Sequence, residues 1–177
     1  MLCGIVENSQ MSAAPISTTD FRHVLGQFAT GVTVITVERE PNSAYGMTAN
    51  AFTSVSLEPL LILVCVDQKS HLLPLLKQKG AFGVSVLKDT QQALSVYFAQ
   101  PNQTPEAEAP LGVRYRWTES GVPLVENALA HLVCRVVGQY LAGDHTIFLG
   151  EVQFGELFSG EPLLFFRSEY RQIVPSR

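Results

Sequence analysis

Short apolar runs and polar breaks succeed one another along the chain, and the period of the apolar positions changes several times. Residues 1 to 17 show no sustained period and contain a second methionine, Met11, the pattern of a loose leader or an upstream start codon outside the fold. The pattern then turns helical: Ser17, Thr18, Thr19 and Asp20 offer caps, and Phe21, Val24, Leu25 and Phe28 share one face of a helix ending near Gly31. Val32 to Glu38 is β-branched and alternating, and the Pro, Asn, Ser and Gly positions within Glu40 to Gly46 predict a turn from which Tyr45 to Ala49 return as a hairpin. A short strand at Ser54 to Ser56 follows. Leu60 to Val66 is apolar at every position, the pattern of a strand buried on both faces.

Pro74 is tolerable only in a first helical turn, so the next helix is predicted to start at Leu72 or Leu73 and to end at Gly80. Ala81 to Leu87 reads as a strand. Asp89 and Thr90 then cap a helix with Ala93, Leu94, Tyr97 and Phe98 on one face, which stops at Pro101. Residues 101 to 112 hold three prolines and two glutamates and predict an exposed loop. Val113, Tyr115 and Trp117 alternate with two arginines, and long β runs follow at 128 to 141 and 146 to 158. About eight strands with three short helices predict a mainly β protein, a closed or nearly closed antiparallel barrel occupying 18–177 as one domain. Strands and helices do not alternate strictly, which argues against a doubly wound parallel sheet.

Composition adds a partner to this picture. Charged residues make up only 16% of the chain against 46% hydrophobic, where about 25% charged is usual, so part of the surface is expected to be covered. A net charge of −4, with Arg114 and Arg116 as the one dense basic spot, disfavours nucleic acid. Cys3, Cys65 and Cys134 are far apart and odd in number, which fits neither a disulfide framework nor a zinc site and suits a reducing cytoplasm. No apolar run approaches the roughly 20 residues that cross a bilayer, and no signal peptide is evident.

Three segments carry candidate chemistry, although there is no GxGxxG after a strand, no GxSxG elbow and no HExxH helix. In Gly46 to Pro59, Thr48, Asn50, Thr53, Ser54 and Ser56 cluster between strongly apolar stretches; they suit the many neutral hydrogen bonds of a flat polar ligand, and equally a Ser/Thr-rich strand and loop. In Cys65 to His71, a helix start beside Lys69 suits a phosphate, while Ser70 also suits plain capping. In Gly143 to Val152, His145 is a candidate contact to a cofactor ring with Asp144 orienting it, or the two simply make a turn.

With these segments in place, the chain resembles the flavin reductase-like domain family, the short reductases that serve two-component flavin monooxygenases. The likeness runs from about Phe21 to Tyr170 through FATGVTVIT, TANAFTSVSLEPLLILVCVD, SHLL, AFGVSVL, the helix ending YFA, Trp117 and GDHTIFLGEV. It departs from the family where the proline-bearing loop and VRYRW replace a Lys-Phe pair, and where Leu60 replaces a second proline. The resemblance implies an FMN-binding split β-barrel, antiparallel and Greek-key-like with a few short α-helices, assembled as a homodimer. It implies FMN or FAD held by Thr48, Ala49, Asn50, Ser54, Cys65, Val66, Asp67, Ser70 and His71 with Phe82 nearby, and NADH or NADPH stacked on the exposed flavin face beside His145. Reduced flavin would pass to a partner monooxygenase. Two other functions share these features: an oxidoreductase using tightly bound FMN to oxidise or reduce an organic substrate, and a barrel that binds flavin or another flat ligand without catalysis.

Overall fold

The computed structural model describes residues 15–173. Helix α1 (Thr18–Leu25) is followed by strands β1 (Thr30–Gly31), β2 (Thr33–Glu40), β3 (Ser43–Ala49), β4 (Phe52–Leu57) and β5 (Leu60–Asp67). Next come α2 (Leu72–Lys79), β6 (Ala81–Val86), α3 (Gln92–Phe98) and α4 (Pro105–Glu108). Six strands complete the chain: β7 (Tyr115–Trp117), β8 (Pro123–Val125), β9 (Ala130–Ala142), β10 (His145–Leu157), β11 (Leu164–Phe166) and β12 (Glu169–Arg171). The leader expected over 1 to 17 lies mostly outside the described residues. No described helix is long and apolar enough to cross a membrane.

Seven strands form one sheet in the order β3-β2-β6-β9-β10-β5-β4, antiparallel throughout. The sheet curls around the largest core cluster, because Ile35 and Val37 of β2, Tyr45 and Ala49 of β3, Ile62, Val64 and Val66 of β5, Phe82 of β6 and Phe148 of β10 bury their side chains together. Leu72, Leu73 and Leu76 of α2 plug one opening, and a left-handed Gly80 ends this helix, its N–H reaching the Leu76 carbonyl. Edge strands β3 and β4 are consecutive in the chain and joined through Asn50 and Ala51, yet no ladder pairs them. The barrel is split there.

Several expectations shift. The strand buried on both faces is β2 rather than β5: Thr33 through Val37 are all buried, with Val34 packed toward Leu87, Tyr97 and Phe98 and Ile35 toward the barrel core. Its threonines hid this, but both hydroxyls are satisfied, Thr33 donating to the Ala49 carbonyl at 2.7 Å and Thr36 to that of Pro123. In β5 only Ile62, Val64 and Val66 are sealed, while Leu61, Leu63 and Cys65 face outward half-buried. Helix α1 stops at Leu25, because Gly26 caps it, and no α1 side chain is buried. Asp89 lies inside a 3₁₀ turn rather than at a cap, and the 101 to 112 segment contains α4 and a 3₁₀ turn at Ala109–Leu111.

Candidate functional site

The split between β3 and β4 opens into a cavity of about 430 Å³. One wall is the inner bend Thr48 to Ala51. A second comes from Cys65, Asp67 and the turn Lys69 to His71, and His145 closes a lip. Eight residues singled out by the sequence therefore meet in one place: Thr48, Ala49, Asn50, Cys65, Asp67, Ser70, His71 and His145. Asn50, Ala51 and Cys65 also border a neighbouring cavity of about 460 Å³ walled by Phe28, Phe52 and Leu63, so one groove runs past the split.

Local hydrogen bonds explain why these residues stand where they do. Thr48 Oγ1 donates to the Ser95 carbonyl at 2.7 Å, tying β3 to α3. The Cys65 N–H reaches the Ala51 carbonyl at 3.1 Å and holds the bend against β5. Asp67 Oδ1 accepts the Lys69 N–H at 2.7 Å, turning the chain after β5. Ser70 accepts the Leu72 N–H at 3.2 Å and donates to Met47 Sδ at 3.3 Å, so capping of α2 and contact with the cavity coexist in one hydroxyl. His145 pairs with Asp67 at the end of the β5–β10 ladder.

Electrostatically the cavity is nearly neutral. Asp67 is engaged with its own turn, and the Lys69 ammonium, which has no ion-pair partner among the described residues, stands near the start of α2. Burial pushes the Cys65 thiol up, so at neutral pH it is an uncharged S–H. His145 Nδ1 lies 2.7 Å from Asp144 Oδ1. That hydrogen bond, and then the imidazole's charge, hold the fully exposed Asp144 carboxyl below its ordinary range.

The other expected residues stand elsewhere. Val66 and Phe82 are fully buried in the barrel, so neither side chain reaches the cavity. Ser54 lies exposed on β4 opposite Ile62, bordering neither cavity, while Thr53 borders the second one. What the sequence reading missed is the wall facing β5: Tyr45 and Met47 of β3, and Phe98 to Pro101 at the end of α3. The two-residue alternation of Tyr45, Met47 and Ala49 was a usable signal for the first half. Nothing local announced the second, which is latched through Gln103, whose Nε2 donates to the Gly46 carbonyl at 2.6 Å.

Apolar plates (Tyr45, Met47, Phe98), small residues permitting close approach (Ala49, Ala51), neutral donors and one cation fit a planar heteroaromatic with a polar edge and a phosphate tail. The flavin reductase like domain matches residues 25–174. The chain is 39% identical over 160 residues to the NADH-dependent flavin reductase of a Rhodococcus species, covering 89% of this chain and 88% of that one. It is 41% identical over 158 residues to the reductase component of 4-hydroxyphenylacetate 3-monooxygenase from Thermus thermophilus, covering 87% and 95%. Among solved structures, the Streptomyces globisporus NADH:FAD oxidoreductase SgcE6 in complex with NAD and FAD fragments superposes with a TM-score of 0.82 at 38% identity, over 94% of this chain and 98% of that one.

Proposed function

The chain belongs to the flavin reductase-like domain family, and from that premise we propose that it is an NADH-dependent flavin reductase that supplies reduced FMN or FAD to a partner monooxygenase. The observation that carries this reading is the convergence of the Thr48–Ala51 bend, the Cys65–His71 turn and His145 on one cavity at the barrel split. A flavin held by these residues would supply the hydride acceptor and a nicotinamide the donor, chemistry that belongs to the two cofactors.

The protein's contribution is placement. The backbone of Thr48 to Ala51 and the Asn50 amide, which has no hydrogen-bond partner among the described residues, meet the polar edge of the ring system. Lys69, Ser70 and the first turn of α2 meet a phosphate, where helix dipole and ammonium act together. His145 stands half-exposed at the lip, its Nδ1 fixed by Asp144 so that Nε2 faces an incoming nicotinamide. Fixing two rings face to face removes much of the entropic barrier to hydride transfer. Relatives named as NADH-dependent and as a monooxygenase reductase component support NADH as reductant and an oxygenase as recipient.

A homodimer completes the reading. Phe21, Val24 and Leu25 of α1 are exposed, and Leu57 and Leu157 are each 85% exposed. A low-charge chain with this much uncovered apolar surface is expected to bury it against a second copy. Light scattering should give twice 19.4 kDa, and a monomer would contradict it. Free Cys65 and Cys134 suit a reducing cytoplasm.

The activity test is direct. Purified protein should consume NADH at a catalytic rate only when FMN or FAD is present. Absence of NADH oxidation with either flavin would contradict the proposal.

A further inference from the structure

The β5–β10 ladder ends at His145 opposite Asp67, where both strands turn away. Beyond that pair, the Asp67–Ser70 turn and the Gly143–His145 tip have no further ladder to hold them together. Among the described residues, Gln68 supplies the hydrogen bonds that span them. The Gln68 backbone N–H donates to the Asp144 carbonyl at 2.9 Å, and its side-chain Nε2 donates to Thr146 Oγ1 at 2.5 Å. His145 sits between these two acceptors, so both of its chain neighbours are held by a single glutamine. Thr146 is 4% exposed, and its hydroxyl draws on the Gln68 amide as donor. Gln68 does not itself line the cavity.

We propose that Gln68 is the positioning residue that joins the two halves of the site, fixing His145 relative to the turn that carries Lys69, Ser70 and His71. The proposal rests on the flavin reductase reading and adds to it a residue that acts through His145 rather than on either cofactor. Ladder pairs to Asp67 and Ala142 hold the His145 backbone and its Nδ1 bond to Asp144 orients the imidazole, but Asp144 lies beyond both ladders with its side chain 88% exposed, which leaves that end of the tip able to swing. Gln68 removes that swing. Without it, each encounter with NADH must order the tip again, and the cost falls on reductant binding rather than on the flavin.

Gln68→Met keeps the side chain's length and removes its donor, while the backbone bond to Asp144 stays. The expected result is an about fivefold rise in KM for NADH, the scale of one lost neutral hydrogen bond. Calorimetric binding of NAD⁺ to flavin-loaded protein should weaken by about the same factor, and the flavin dissociation constant, read by fluorescence quenching, should stay within about twofold. Thr146→Val, which removes the acceptor, should reproduce the rise, and in a His145→Ala background Gln68→Met should add nothing. A wild-type KM in both variants, an equal weakening of flavin binding, or an undiminished effect without His145 overturns the proposal. Wild-type protein inactive with NADH and either flavin overturns the functional reading along with it, whereas an active wild type with unaltered variants overturns the positioning role alone.

Discussion

The two faces of strands β5 and β10 share one backbone and serve opposite ends. Inward, Ile62, Val64 and Val66 lie beside Thr146, Phe148 and Gly150, all sealed, with Phe148 directly opposite Val64. Outward, one residue along in each strand, Cys65 and Asp67 lie beside Ile147 and His145, half-open, with three of the four bordering the cavity. Because side chains alternate along a strand, stability and chemistry are carried by neighbouring positions that barely touch. A flat cofactor can thus be held at the barrel's rim without opening its core.

The sharpest way to break this separation is to empty the inward face. Phe148→Ala removes a fully buried ring and should cost about 3–5 kcal/mol in urea unfolding, while the folded fraction keeps the NADH KM of the parent. A large kinetic change in the folded fraction would show that the faces are not separate. Next in size is the outward face: His145→Ala should lower kcat/KM for NADH by about tenfold, near 1.4 kcal/mol of transition-state binding, with flavin affinity and unfolding midpoint nearly unchanged. Stronger loss of flavin than of NADH binding would overturn the assignment of His145 to the reductant.

Thr48→Val tests a residue that belongs to both regions, since its hydroxyl ties β3 to α3 and its backbone borders the cavity. Losing that 2.7 Å bond should cost roughly 1 kcal/mol of stability and weaken flavin binding by about fivefold. The smallest effect concerns Asp144, whose carboxyl is held low by the His145 hydrogen bond. A depressed carboxylate contributes stability above its unfolded value and loses it as pH falls through its folded one. Asp144→Asn should therefore slightly flatten the decline in stability on acidification; a steeper decline would contradict the direction of the shift.

How much of this was legible in the sequence follows from the same alternation. Strands β2, β5, β6, β9 and β10 announce themselves through apolar runs, and Gly80 marks the end of α2. The uniformly apolar Leu60 to Val66 could not reveal its two unequal faces, because a cavity wall and a core both select apolar side chains. The β11–β12 hairpin carried no turn signal, since Arg167 and Ser168 take positive φ where Asn or Gly would be expected. Within the site, the hydroxyl-rich bend and the Gly-Asp-His tip stood out as polar breaks in apolar surroundings. The wall from Phe98 to Pro101 did not, because its latches, Thr48 to Ser95 and Gln103 to Gly46, join residues 47 and 57 positions apart.

Whether the barrel split seats the flavin is decided by a crystal structure of the protein soaked with FAD and NAD⁺. The isoalloxazine should lie in the split, between the Thr48–Ala51 bend and the Cys65–His71 turn, with one ring face open and the nicotinamide stacked on it beside His145. A flavin ring seated outside the split, or a nicotinamide far from His145, would contradict this placement.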